Sequence, residues 1–183
     1  MIILMEKLFS LMGEQMFSKE KIKKIKEILS NYLINCKLMQ VAVADGKNPS
    51  IFNCWFSYDN KFNFYFISPE YANHSKILKN NPNVAISITD TQLNREFGQD
   101  VLGISFKGKT KQPKGKELLL AYVNFLKRYP KVGAYIKYIS NKKLDLSLTK
   151  IYKIETNKLI LYDEINFEEG EERQEVDIKD LMR

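Results

Sequence analysis

A chain of 183 residues, 44% of them hydrophobic and 28% charged, is long enough to bury one core and too apolar for an intrinsically disordered protein. Two cysteines and one histidine are too few for a disulfide framework or a zinc cluster, so a reducing, cytoplasmic compartment and no metal site are expected. The net charge of +7 admits nucleic acid, a membrane surface or a phosphorylated small molecule as partner.

The first part of the chain predicts a helix that leads into a folded domain. The opening MIILMEKLFSLMG is interrupted by Glu6 and Lys7, which favours a short amphipathic helix, or a true start at Met5, over a signal peptide. No apolar run approaches the roughly 18 residues that span a bilayer. Apolar residues recur at helical spacing over 18–34, with Ser18 as the predicted N-cap. We therefore predict an N-terminal extension at 1–17 and a domain at 18–165.

The middle of the chain alternates between strand patterns and polar turns. Strands are predicted at 38–44, 51–58, 61–68, 83–90 and 101–111, with a turn or loop at 45–50. Helices are predicted from Ser68 or Asn73 to Asn80, at 116–129 and at 131–139, and a hairpin at 146–164 turns near Thr156. With about six or seven strands, mostly joined by hairpins, and three or four helices, the order predicts a mainly β fold, an antiparallel barrel with peripheral helices.

Charge divides the chain unevenly. Residues 161–183 carry nine acidic and three basic residues, a net charge of −6, which leaves +13 for residues 1–160. An acidic tail, assigned to 166–183, would repel polyanions, so nucleic acid and membrane partners are disfavoured. The tail could fold over its own body, reach across a dimer or stay disordered. A lysine-rich surface that serves only solubility is the alternative explanation of the basic body.

Alternation in two strands separates a core face from a mixed one. Over 51–58, Phe52, Cys54, Phe56 and Tyr58 share an apolar face, while Ile51, Asn53, Trp55 and Ser57 share the other. Strand 101–109 repeats the split, with Ser105 on its polar side. A mixed face of this kind contacts solvent, a polar ligand or a partner subunit, and the single tryptophan favours the last two.

The segment 66–88 contains the one histidine at a predicted helix start. Backbone N–H groups at a helix N-terminus attract anions, and Ser68, Asn73, His74 and Lys76 would add hydroxyl, amide and cationic donors. Glu70 would oppose an anion unless it is turned away. The segment predicts either a phosphate site or an ordinary solvated helix.

The order of motifs resembles the FMN-binding split barrel, the pyridoxamine 5'-phosphate oxidase-like superfamily, and within it a small uncharacterised bacterial subfamily. The resemblance is carried by "FNFYFISPEYANHSKILKNNPNVAISI" and by "GISFKGKTK", and it spans roughly residues 20–165. It implies a six-stranded antiparallel split barrel that forms a homodimer, with FMN bound at the subunit interface.

The resemblance also implies site residues. The flavin phosphate would be held by Ser68, Asn73 and His74 with Lys76 nearby, and the flavin ring by Asn53, Cys54, Trp55 and Phe56, with Ser105 where a glutamine often contacts the cofactor. No catalytic acid or base is predicted, and the implied function is an FMN-dependent oxidoreductase of unknown substrate.

One departure keeps other functions open. Relatives commonly carry Arg-Lys where this chain has Asn73-His74. The alternatives are a non-enzymatic barrel that has lost flavin or binds another ligand such as haem, and a nucleic-acid binder suggested by the basic body.

Overall fold

The computed structural model describes residues 2–89, 101–131 and 149–182, with side chains described from residue 19 onward. The helices are α1 (Ile2–Asn35), α2 (Asn73–Asn80), α3 (Gly115–Arg128) and a short α4 (Ile178–Leu181). The strands are β1 (Leu38–Asp45), β2 (Asn48–Tyr58), β3 (Phe64–Pro69), β4 (Asn83–Thr89), β5 (Leu102–Lys111), β6 (Thr149–Glu155), β7 (Lys158–Asp163) and β8 (Arg173–Asp177).

Six of the described strands close into a barrel. The hydrogen-bonded order is β4-β1-β2-β3-β6-β5, and β5 pairs back with β4, so every neighbouring pair in the ring is antiparallel. Strands β7 and β8 extend the sheet beyond β5. The predicted six-stranded antiparallel split barrel with peripheral helices is confirmed.

The predicted hairpin at 146–164 is wrong, because β6 and β7 run in the same direction along one edge of β5. Lys109 pairs with Glu155 and Ser105 pairs with Ile160, so the three residues of β5 between these pairs face four residues of the partner, 156–159. The extra residue is a β-bulge. The Thr156 hydroxyl lies 2.8 Å from both the Lys107 and Lys158 carbonyl oxygens, which satisfies the bulge locally.

A glycine is also required at the point where the partner of β5 changes between β6 and β7. A Cβ built on Gly108 would lie 2.7 Å from Ile154 Cγ2 and 2.8 Å from the Glu155 carbonyl oxygen. The second neighbour is backbone, which cannot rotate away. The absence of a side chain at Gly108 therefore allows β6 to approach β5 where the barrel closes.

Two local predictions are corrected. Residues 45–50 are not a loop, because β1 and β2 continue to Asp45 and Asn48 and only Gly46 and Lys47 turn, with Gly46 at a φ of +58°. Ser18 is not an N-cap, because α1 continues through it from Ile2. The helix predicted at 131–139 and the polar loop after Thr89 fall mainly on 132–148 and 90–100, outside the described residues.

The main core fills the barrel and the space beneath α1. Phe56, Phe64 and Phe66 are fully buried within it, and Leu29 and Leu33 of α1 cover one side. These apolar side chains supply the dominant driving force for folding.

Arg128, at the end of α3, anchors the C-terminal end of α1. Its guanidinium donates to the carbonyl oxygens of Leu33, at 2.6 Å, and of Cys36, and it lies 4.7 Å from the Phe56 ring centroid. Carbonyls at a helix end lack intrahelical partners, so the cation stabilises that end.

The acidic C-terminal region folds onto the body of its own chain. Residues Arg173–Asp177 pair with β7, and Val176, Ile178 and Leu181 are buried. Lys158 Nζ lies 2.8 Å from Glu175 Oε1, so part of the acidic charge faces basic residues of the sheet. None of the helices in the described ranges is long and apolar enough to cross a membrane.

We predict that Gly108→Ala lowers the free energy of unfolding by about 1–3 kcal/mol, because the new methyl group forces β5 and β6 apart. Gly103→Ala is the matched control in the same strand, since its Cβ would make only ordinary contacts at 3.6 and 3.7 Å. Urea unfolding of both variants tests this, and equal effects at the two positions would contradict the account of barrel closure.

Candidate functional site

The barrel is split between β2 and β3. Residues 56–58 of β2 pair with β3, whereas residues 48–55 pair, within the described chain, with β1 alone. From Phe56 back toward Asn48 the two strands therefore diverge, and one edge of β2 pairs with none of the described strands. Helix α2 follows the end of β3 and lies at this opening, which we call the β2–β3 gap.

Three polar side chains meet inside the β2–β3 gap. Ser68 Oγ lies 2.6 Å from His74 Nε2, and the Ser75 hydroxyl lies 3.1 Å from Ser68 Oγ. The His74 ring stacks on Phe52 of β2, with ring centroids 3.8 Å apart and planes 11° from parallel. Both serines are buried. His74 therefore connects β3, α2 and β2 across the gap.

Burial lowers the pKa of His74 below its ordinary value of 6.5. The hydroxyls agree with a neutral ring, because Ser75 can donate to Ser68 while Ser68 donates to an unprotonated Nε2. A neutral imidazole attracts a phosphate dianion less than a cation does. The predicted phosphate residues Ser68 and His74 are thus brought together, but they bind each other.

The other two predicted phosphate residues, Asn73 and Lys76, are exposed in the first turn of α2. No side chain caps the N-terminus at Ala72, so this turn keeps the backbone donors that attract anions. Glu70 lies 3.9 Å from Lys79 Nζ and 4.0 Å from Lys150 Nζ, so its charge is partly offset.

The four residues of β2 that are predicted to contact the flavin ring differ in how deeply they are buried. Phe56 is fully buried in the core, and burial raises the pKa of the Cys54 thiol to about 12, so that thiol stays protonated. Asn53 and Trp55 are exposed, and Trp55 makes an edge contact with Tyr129 at 5.4 Å between centroids. Asn53 and Trp55 are the members of this set that a ligand can reach directly.

A polar row crosses the outer face of the sheet and joins two predicted site residues. By strand register, Asn53 lies opposite Gln40, Gln40 opposite Ser87, and Ser87 opposite Ser105. Asn53 and Ser105 thus lie in one line across β2, β1, β4 and β5, about 14 Å end to end at the usual strand spacing.

Four residues of this region were missed from the sequence: Gln40, Phe52, Ser75 and Ser87. Gln40 left a signal, since it is the one amide in the apolar run LMQVAVA. Ser75 adjoins His74 and could have been included with it. The role of Phe52 in the gap left no sequence signal, because its stacking on His74 depends on tertiary structure.

No protein-family model and no curated protein sequence matches the chain. Among solved structures, a haem-binding protein from Mycobacterium smegmatis aligns with a TM-score of 0.64 at 13% identity, over 82% of this chain and 58% of its own. A candidate pyridoxamine 5'-phosphate oxidase from Listeria innocua aligns at 0.54 and 12% identity, over 75% and 97% of the two chains. An FAD-binding protein from Mesorhizobium loti aligns at 0.50 and 11% identity, over 71% and 88%.

The chain has the split-barrel fold of these proteins. At identities this low the likeness establishes the fold alone, and the chain spans little more than half of the Mycobacterium smegmatis protein. Proteins named for haem, FAD and pyridoxamine phosphate share the fold, so the fold does not choose among ligands.

The residues around the β2–β3 gap fit a flavin phosphate and ring. The uncapped start of α2 with Asn73 and Lys76 supplies donors for a phosphate. The unpaired edge of β2 supplies backbone N–H and C=O groups beside it, which suit the alternating donors and acceptors of a flavin ring.

We predict that the pKa of His74 in the folded protein lies below 6.5. Because the folded state then binds this proton more weakly than the unfolded state, the free energy of unfolding due to His74 falls as pH decreases through 6.5. As the chain has one histidine, its imidazole C–H resonance is unambiguous in an NMR titration. His74→Gln is the control and should lose this component of the pH dependence. A pKa at or above 6.5 would refute the neutral ring.

Proposed function

We propose that the protein binds FMN as a homodimer and acts as an FMN-dependent oxidoreductase on a substrate that its residues do not identify. The observation that carries the proposal is the β2–β3 gap, where an uncapped helix N-terminus lies beside an unpaired strand edge. An anion-binding turn next to backbone donors and acceptors suits a ligand with a phosphate at one end and a planar heterocycle at the other.

The phosphate of FMN would bind at the first turn of α2. Lys76 would supply the charge and Asn73 an amide donor, together with backbone N–H groups of the turn. Ser68 and His74 would support this turn from inside, since their mutual bond fixes α2 against the end of β3. In this arrangement His74 is a positioning residue, and the lack of an Arg-Lys pair is offset by the helix N-terminus and Lys76.

The flavin ring would lie along β2, near Asn53 and Trp55. Both side chains are exposed on the outer face, and the amide of Asn53 both donates and accepts hydrogen bonds. Ser105, three strands away in the same polar row, would contact the cofactor only across the outer face. Cys54 and Phe56 would not contact the flavin directly, and would affect its binding only through the packing that positions β2.

Haem is the second candidate, because one of the structures with this fold is named as a haem-binding protein. The chain has one histidine to offer as an axial ligand. His74 Nε2 is already 2.6 Å from Ser68 Oγ, and its ring is stacked on Phe52. Histidine ligation of haem would have to break both contacts, so the geometry favours FMN.

The outer sheet face suits a second copy of the chain. Ile51 is 67% exposed and Trp55 is 59% exposed, and the small residues Ala85, Ser87 and Ser105 lie two and three strands away, on β4 and β5 of the same sheet. Small side chains let another sheet approach closely, and exposed aromatics are typical interface anchors. A dimer through this face would enclose the polar row that holds Asn53 and Ser105.

The residues of the site position a cofactor and do not themselves transfer protons at neutral pH. Bound FMN supplies hydride or electron transfer. The thiol of Cys54 stays protonated, and the imidazole of His74 is occupied by Ser68. The role of the chain is therefore to bind and orient the flavin.

We predict that Lys76→Ala weakens FMN binding about three- to tenfold, a loss typical of one exposed charge contact. Binding of riboflavin, which lacks the phosphate, should not change. Lys61→Ala, an exposed lysine in the turn at the paired end of β2 and β3, is the matched control for charge. Fluorescence titration with both flavins measures the affinities, and equal losses for riboflavin or for the control would argue against a phosphate at α2.

We predict that Trp55→Glu raises the dissociation constant of the homodimer at least tenfold, because it places a charge in the proposed apolar contact. Ile165→Glu is the control, since Ile165 is 52% exposed but lies in the loop between β7 and β8. Sedimentation equilibrium of the 21.4 kDa chain reports the constant. An unchanged constant for Trp55→Glu would exclude this face.

A further inference from the structure

Trp55 is a mostly exposed side chain that rests against a second aromatic ring. It is the one tryptophan of the chain, and it is 59% exposed on the outer face of β2. Its indole meets the ring of Tyr129 edge-on, with ring centroids 5.4 Å apart and planes at 88°. Aromatic pairs favour this edge-to-face arrangement. Trp55 is therefore supported on one side and stays accessible to a ligand.

The Tyr129 ring is itself fixed through its hydroxyl group. Tyr129 directly follows α3, and its hydroxyl lies 2.7 Å from the Phe56 carbonyl oxygen and 3.2 Å from the Lys37 carbonyl oxygen. The same hydroxyl accepts a hydrogen bond from Arg128 Nε at 3.1 Å. Burial raises the pKa of Tyr129 above its ordinary value of 10, so the hydroxyl keeps the proton that the Phe56 carbonyl accepts. With three polar partners, the phenol ring has little freedom to turn.

The two carbonyls that Tyr129 reaches mark the point where β2 changes its partner strand. The ladder between β1 and β2 begins with Leu38 opposite Trp55, so Lys37 and Phe56 would form the next pair in register. Phe56 instead begins the pairing of β2 with β3. The Tyr129 hydroxyl lies where that next pair would form, and it connects both segments to the end of α3. Trp55 is thus the last residue of β2 before a junction that Tyr129 fixes.

An aromatic side chain that is already ordered binds a planar ligand more tightly than a mobile one. Ordering a free side chain on binding costs conformational entropy, and this cost is avoided when the free protein already holds the side chain in place. An exposed side chain without such a contact changes its rotamer within picoseconds to nanoseconds. The contact with Tyr129 therefore favours any ligand ring that binds against Trp55.

We propose that Tyr129 is a positioning residue of the flavin site, which orders the indole of Trp55 before the flavin ring binds beside it. The inference rests on the proposed function, because it takes the flavin ring to lie along β2. It adds to the site a residue from the end of α3, which no local pattern in β2 identifies. Since Tyr129 acts on the ring contact and not on the phosphate, it should affect FMN and riboflavin alike.

The time-resolved fluorescence anisotropy of Trp55 tests the ordering in the absence of flavin. Selective excitation of the indole reports this residue alone, because the chain has one tryptophan. In the wild type we expect the anisotropy to decay almost entirely with the tumbling of the whole protein. In Tyr129→Leu a fast component in the picosecond to nanosecond range should appear. Tyr129→Phe keeps the ring but loses its bonds to the two carbonyls, so its decay should lie between the other two.

Fluorescence titration with FMN and with riboflavin tests the consequence for binding. We expect Tyr129→Leu to weaken both flavins by a similar factor, about two- to tenfold, and Tyr129→Phe to weaken them less. Tyr122→Leu removes an exposed tyrosine from α3 and is the matched control, which should change neither the anisotropy nor the affinities. Circular dichroism and sedimentation equilibrium establish that the compared samples are folded and share one assembly state.

Three results would overturn the proposal: an unchanged anisotropy decay in Tyr129→Leu, a fast component accompanied by wild-type affinity for both flavins, or weaker binding of FMN alone. If Tyr129→Leu does not fold, Tyr129→Phe decides the question, and a decay and affinities equal to those of the wild type would overturn the proposal. These failures differ from failure of the proposed function, in which the wild type itself binds neither flavin.

Discussion

One edge of β5 pairs with β6 at one end and with β7 at the other, and the barrel depends on this division. Near Lys109 the edge pairs with β6 and closes the ring, while near Ser105 it pairs with β7 and carries the sheet outward. Gly108 allows the close approach of β6, and Thr156 satisfies the bulge that lets the chain continue. The same segment therefore closes the six-stranded ring and provides β7, on which the acidic C-terminal region folds.

While the ring closes between β5 and β6, it is left open between β2 and β3. Strand β3 is held by β6 over its whole length, but β2 stays beside it only through Tyr58, Ser57 and Phe56. The β2–β3 gap that results is crossed by the stack of His74 on Phe52 and by the bond from His74 to Ser68. These contacts hold the first turn of α2 beside the unpaired edge of β2. The candidate site is thus a consequence of how the barrel is built, and His74 is one of the residues that hold its two sides together.

Much of this architecture could be predicted from local patterns. Alternation in β2 identified its inner face, and the helix start near Asn73 was placed within one residue of Ala72. The features that could not be predicted depend on residues that are distant in sequence. The bulge at Thr156 is satisfied by Lys107, and the inward orientation of His74 depends on Phe52, so neither leaves a local signal. Ser18 resembles a cap in sequence, but the preceding residues are helical as well, and α1 continues through it.

The central claim is that the β2–β3 gap holds FMN. The most direct measurement is the visible spectrum of the protein after incubation with excess FMN and removal of unbound ligand, with hemin in a parallel sample. If FMN binds in the gap, flavin absorbance at about 450 nm stays with the protein at one flavin per chain. A protein that emerges colourless from FMN, or that retains hemin alone, would contradict it.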